Sequence, residues 1–242
     1  AAELGMTETH FTNPDGLPTD DEYTTAADMV KLGRAVVETF PEALQYTGAK
    51  DFSFKTVGPN NREVTITQRN FNTLLFYDSR VNGIKTGHVK EAGYHLVASA
   101  KSGDLELISA VFGTTSMEKR RVETDKLLDW AFRTFTTVSP DWRNAVPPTV
   151  RVYGGDVNYV AIAPAGGNAY FTISKGMENK VALVASVSQK PLIAPLPKAA
   201  PVGELTVMIG GKPQAAMPIV TQNAVAQGGI VHRWIDSIRM KL

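Results

Sequence analysis

Lys85, Thr86 and Gly87 follow one another in the run VNGIKTGHV, and together these three residue types have a chemical use. The ammonium supplies a fixed positive charge, the hydroxyl donates to a carboxylate or carbonyl, and glycine lets a ligand backbone come close. Such a trio suits the acidic end of a peptide. Taken alone the tripeptide is weak evidence, and a solvated lysine before a turn is the better reading, so the surroundings must decide. Other chemistries have less support. His10, His88, His95 and His232 show no H-x-x-H, H-E-x-x-H or carboxylate-paired spacing, so no metal site is read. Neither G-x-G-x-x-G nor G-x-x-x-x-G-K-[ST] occurs where a nucleotide fold would need it, and no cofactor is implied. Asp20 and Asp21 lie in a polar loop and read as solvated rather than as a glycosidase pair.

The elements around the trio are legible. In the first half, TTAADMVKLGRAVVETF predicts a helix over 24–40, capped by Thr24 or Thr25 and stopped by Pro41, with Ala27, Val30, Val37 and Phe40 near one face. FSFKTV and EVTIT alternate across GPNN as a short hairpin. YHLVASA and LELISAVFG flank KSGD as two antiparallel strands, apolar enough to be central in their sheet. A second helix over 116–135 places Leu128, Ala131, Phe132 and Phe135 at amphipathic spacing, and it would pack on that sheet.

The texture changes near residue 140. SPDWRNAVPP carries three prolines in ten residues and reads as a linker. After it, TVRVYGG, YVAIAPA, AYFTIS, KVALVASV, GELTVMIGG and AMPIVTQ are short strands separated by Gly, Pro and Asn, the pattern of a small all-β sandwich or barrel. The tail IVHRWIDSIRMKL groups Ile230, Val231, Trp234, Ile235, Ile238 and Leu242 on one helical face, with His232, Arg233, Asp236, Arg239 and Lys241 on most of the other. That face suits a lipid surface, and docking on the chain's own β-domain is the competing reading.

Composition excludes several classes. The chain has 242 residues, 43% hydrophobic and 20% charged, enough for one or two ordinary cores. A formal net charge of +1 gives no basic face for nucleic acid. Zero cysteines exclude disulfides and thiol nucleophiles. No apolar run is long enough to span a bilayer, and the opening AAELGMTETH lacks the basic and apolar regions of a signal peptide.

K-T-G is one of three motifs shared by class A β-lactamases and penicillin-binding proteins, and here it has company. NPDGL at 13–17, TTAADMVKLGRAVV at 24–37, NFNTLL at 70–75, VNGIKTGHVKEAGYHLVASA at 81–100, LISAVFG at 107–113 and KLLDWAFRTF at 126–135 follow in one order. The chain resembles the low-molecular-mass penicillin-binding proteins, serine D-alanyl-D-alanine carboxypeptidases that trim peptidoglycan stem peptides.

The resemblance implies an α+β chain. Residues 1–138 would be the C-terminal part of a β-lactamase/transpeptidase-like catalytic domain, 139–148 a linker, 149–229 a β-sandwich and 230–242 a membrane-anchor helix. It implies that Lys85, Thr86 and Gly87 form the third catalytic motif on the strand edging the cleft, where they would hold the substrate's terminal carboxylate or that of a β-lactam. His88 would stand in for a hydroxyl donor, and Arg120 would help bind the carboxylate. Asp15 would shape its loop.

Trp234, Ile235 and Ile238 would contact the membrane, at the periplasmic face of the bacterial cytoplasmic membrane. The partners implied are the peptidoglycan pentapeptide and β-lactams, with no nucleic acid and no cofactor. The family's attacking serine, the lysine one helical turn after it, and the Ser-x-Asn motif are expected upstream of Ala1. Serines near Lys101, Lys175 and Lys190 have the wrong spacing. The chain is therefore expected to be a fragment, inactive alone and inclined to self-associate. The alternative is a non-catalytic binding or positioning module at a membrane surface.

Overall fold

The computed structural model describes residues 1–168 and 170–239, apart from the side chain of His232. Its residues separate into two compact units, the first running to Thr134 and the second beginning at Phe135.

The first unit opens with a loop that returns to the helix α1, Ala26–Thr39. Thr25 caps it, its hydroxyl accepting from the Asp28 N–H at 3.2 Å, and Pro41 follows its end. Asp28 is buried and gathers the loop, accepting from the Glu8 N–H at 2.9 Å, the Thr9 hydroxyl at 2.8 Å and the Lys31 ammonium at 2.8 Å. The face of α1 that packs is centred on Gly33, not on Ala27 and Phe40, both of which are exposed. At Gly33 an added Cβ would lie 3.0 Å from both Ile108 and Val97, so the missing side chain is what brings the helix onto the sheet.

A short helix α2, Leu44–Thr47, leads to the ribbon β1, Asp51–Val57, and β2, Glu63–Arg69. The central sheet follows: β3, Val81–Val89; β4, Gly93–Ser102; and β5, Leu105–Thr114, in the order β3-β4-β5. The β4–β5 turn is the pair Gly103 and Asp104, with Gly103 at φ 59° supplying the left-handed backbone that so short a loop requires. β4 is central as expected, but β5 lies at an edge of this sheet among the described residues. Its apolar side chains are covered by α1 and by α3, Met117–Thr134, rather than by a further strand. Leu96, Ala98 and Ala100 of β4 bury against Leu128 of α3 and against Leu74 and Leu75. The turn before β3 is tied to α3 by Arg80, which bonds Asp78 at 2.8 Å and Asp129 at 2.5 Å. α3 ends at Thr134, so Phe135 does not extend its apolar face.

In the second unit, β6, Phe135–Val138, pairs with β9, Phe171–Ser174. β7, Thr149–Tyr153; β8, Tyr159–Pro164; β10, Val181–Val187; β11, Leu192–Ile193; β12, Pro201–Ile209; and β13, Lys212–Thr221, form one sheet in the order β10-β12-β13-β8-β7-β11. The result is a mixed α/β chain with a β-sandwich-like second half. All six strands read from the sequence are present. β11, only two residues long, carries too short a pattern to read.

The boundary expected after residue 138 is displaced, because Phe135–Val138 spends its backbone hydrogen bonds on β9. Nor is 139–148 a free tether, since Val146 is buried in the second core with Trp142 packed on it. The last helix, α4, spans Ile230–Arg239. The expected extension to Leu242, including Lys241, lies outside the described residues.

Candidate functional site

The K-T-G residues lie on β3, which among the described residues pairs only with β4. The start of β3 packs against Thr47 and Leu44 at Gly83, so it is the stretch beyond Gly83 whose other edge is left without a partner strand and could pair with an extended peptide. Lys85 is exposed, and its ammonium donates to the Thr86 carbonyl at 2.6 Å. Thr86 and Gly87 are half-buried. Gly87 stands opposite His95 in register. A Cβ placed there would meet only His95, at 3.6 Å or more, so nothing crowds that side of the backbone. His88 is exposed, with its ring 3.9 Å from the Tyr94 ring.

Behind this edge is a layer of positioning groups. Nδ1 of His95 accepts from the Gly113 N–H at 3.1 Å, which assigns the remaining ring proton to Nε2. Phe112 packs edge-on to the same ring at 5.0 Å. Burial holds the His95 pKa below the ordinary histidine value, reinforced by the positive charge of Arg120 and by His88.

Arg120 is 3% exposed. It donates to the Phe71 carbonyl at 2.6 Å and to the His95 carbonyl at 3.4 Å, and its guanidinium lies 6.0 Å from the Tyr94 ring. Burial lowers its pKa from the ordinary arginine value, opposed by Tyr94. Its hydrogen bonds thus go to the chain that builds the site.

The role of NFN at 70–72 emerges only in the fold. Asn70 donates to the Thr47 and Ala49 carbonyls at 3.1 and 2.8 Å and accepts from the Asn72 N–H at 2.8 Å. Buried Asn72 donates to the Gly83 carbonyl at 3.3 Å. This segment thus braces both the start of β3 and, through Phe71, the buried arginine. Two asparagines around an aromatic residue were the available signal, since buried amides need partners.

One Ser-x-x-Lys string does occur in the chain, Ser116-Met117-Glu118-Lys119. The Ser116 hydroxyl accepts from the Lys119 backbone N–H at 3.1 Å, which makes it a cap on α3. Asp15 shapes its loop as expected, accepting from the Leu17 N–H at 3.1 Å. Among the described residues no group of His, Asp and Glu is arranged to hold a metal.

Residues 1–116 match the family model described as D-alanyl-D-alanine carboxypeptidase, and residues 135–227 match the C-terminal domain of penicillin-binding protein 5. This chain belongs to the low-molecular-mass penicillin-binding proteins, the serine D-alanyl-D-alanine carboxypeptidase family. The D-alanyl-D-alanine carboxypeptidase DacC of Escherichia coli K12 is 35% identical over 241 residues, 100% of this chain and 58% of the relative. DacA of the same strain is 34% identical, across 98% of this chain and 57% of the relative. The chain thus spans under three-fifths of the length of these relatives.

Among solved structures, penicillin-binding protein 5 from Haemophilus influenzae superposes with a TM-score of 0.75 at 35% identity, covering 93% of this chain and 63% of that one. The carboxypeptidase DacD from Francisella tularensis gives 0.60 at 28% identity, covering 93% and 66%.

Proposed function

We propose that this chain supplies the carboxylate-receiving wall of a serine-type D-alanyl-D-alanine carboxypeptidase. The observation that carries the reading is the placement of Lys85, Thr86 and Gly87 on an open strand edge, with buried groups bracing the backbone from behind. A peptidoglycan stem pentapeptide ending in D-Ala-D-Ala would lie along β3 as an added strand. The Lys85 ammonium and the Thr86 hydroxyl would meet its terminal carboxylate, and Gly87 would admit its backbone. A β-lactam presents a carboxylate of the same kind.

His88, exposed and stacked on Tyr94, is the further donor at the rim. Arg120 contributes positive field and rigidity from beneath. In the whole protein the attacking serine would form the acyl intermediate, and this wall would hold the peptide against it.

The setting proposed is the periplasmic face of the bacterial cytoplasmic membrane. Trp234, Ile235 and Ile238, all exposed on α4, suit peripheral contact with lipid; no described helix is long and apolar enough to cross. Self-association is supported by the β1–β2 ribbon, which leaves Phe52, Phe54, Val64 and Ile66 exposed. Sedimentation velocity should show a dimer that Phe54→Ser dissolves, and a monomer at all concentrations would refute it.

The test of the wall is a titration of the isotope-labelled 242-residue chain with N-acetyl-L-Lys-D-Ala-D-Ala, followed by amide chemical shifts. Shifts should concentrate at 84–88, and Lys85→Ala should weaken binding about tenfold, the loss of one charge-assisted contact. Shifts that avoid β3, or binding unaffected by Lys85→Ala, would remove the proposal.

A further inference from the structure

α4 is docked the reverse way from an ordinary surface helix. Asp236 is buried to 1% exposure, while Ile230, Val231 and Trp234 are 80%, 72% and 68% exposed. Ile235 and Ile238 are exposed as well. A soluble helix normally turns its apolar stripe inward and its carboxylates to water. A buried carboxylate is costly unless charge and hydrogen bonds compensate it, and here they do. Asp236 accepts from the Gly154 N–H at 2.8 Å and from the Arg151 guanidinium at 3.4 Å, with Arg239 at 3.9 Å.

The approach to the helix is held to the same turn. Asp156 and Ala226 exchange two bonds, at 3.0 and 3.1 Å, and the Gly228 N–H donates to the Gly154 carbonyl at 2.9 Å. A Cβ at Gly228 would run into the Gly155 carbonyl, so only glycine passes there. The β7–β8 turn thus grips the chain on both sides of the first helical turn.

We propose that Asp236 is a latch that preforms α4 on the second unit and fixes its apolar stripe outward, so that this unit meets an anionic phospholipid surface as one rigid body. The inference rests on the lipid contact proposed above and adds the residue that sets its geometry. Anionic lipid is the partner because exposed Arg233 and Arg239 flank the stripe. Without the latch, the helix would have to fold as it binds, which costs affinity.

The test uses the full chain, whose lack of cysteine permits clean spin labelling at Glu204→Cys and Ser237→Cys. Pulsed electron paramagnetic resonance should give one narrow distance in solution, unchanged on vesicles of phosphatidylglycerol and phosphatidylethanolamine. Asp236→Ala should broaden it and weaken vesicle binding about fivefold to tenfold. Asp236→Asn, which keeps the shape and one acceptor for Gly154, should fall between. Amide dispersion of β12 and β13 checks that the sheet remains folded.

An unchanged distance distribution in Asp236→Ala overturns the latch. A latch that behaves as expected in a chain that binds no vesicle overturns the lipid surface instead. Dimerisation abolished by Ile235→Glu would assign the stripe to a second copy and overturn the proposal in that way.

Discussion

Replacing Arg120 by alanine separates a group that touches ligand from one that builds the site. The guanidinium is buried and donates to the Phe71 carbonyl at 2.6 Å and to the His95 carbonyl at 3.4 Å. Hydrogen bonds to a charged group contribute about 1.5–3 kcal/mol each, and the longer one sits at the weak end. Removing both, net of the relief of a buried charge, should destabilise the first unit by about 2–4 kcal/mol.

With a urea m-value of about 2 kcal/mol/M, the midpoint for that unit should fall by about 1–2 M. Tyr94 and Trp130 fluorescence with amide exchange at His95 and Phe71 would follow it. Arg120→Met, which keeps the aliphatic volume but no donor, should lose nearly as much, whereas Arg120→Lys should recover part through one retained bond. The reasoning is refuted if Arg120→Ala melts within about 0.5 kcal/mol of wild type while losing affinity for acetyl-D-Ala-D-Ala. Arg120 would then bind the carboxylate itself.

Four further outcomes are expected. Leu128→Ala removes a side chain buried between α3 and the sheet and should cost about 2–5 kcal/mol in a denaturant melt. Thr25→Ala deletes the cap of α1 and should cost about 1 kcal/mol without changing the helix's length by circular dichroism. Asp28 is held below the ordinary carboxylate range mainly by its bond to Lys31, against burial. Its contribution is therefore full above the unfolded value near ~3.9 and is lost as pH falls through the folded value, so Asp28→Asn should flatten the acid limb of the stability profile. The ring of His95, whose pKa is lowered by burial and then by Arg120, should titrate below ~6.5 by nuclear magnetic resonance. Arg120→Met should raise that value, and an unmoved titration would exclude the charge as a cause.

Much of the chain could be read locally. A threonine cap for α1 at 24 or 25, the β4–β5 turn and six of the eight strands of the second unit follow from turn chemistry and alternation, which act within a few residues. The errors came where contacts arise between distant segments. Counting apolar residues puts the packed face of α1 on Ala27, Val30, Val37 and Phe40, yet Gly33 is buried against Ile108 and Val97 of the sheet, where a side chain would leave no room. The spacing of Phe135 fits a helix, but β9, far along the chain, takes its backbone instead. Arg120 could be recognised as basic and near the site, but only the fold brings the Phe71 and His95 carbonyls to it.

The order of residues alone determined that a positive charge, a hydroxyl and an uncrowded backbone stand together at 85–87, and that the family's landmarks surround them. It also determined that the tail has an apolar stripe. Tertiary structure decided that β3 pairs only with β4 among the described residues, that Asn72 braces its start while Arg120 ties Phe71 to β4, and that Asp236 is buried while the apolar stripe is exposed. Residue type specifies what a group can do, whereas burial and partners depend on segments up to 85 residues apart, as Arg151 and Asp236 are. No local pattern encodes that meeting, because the energy that selects it exists only once the chain is packed.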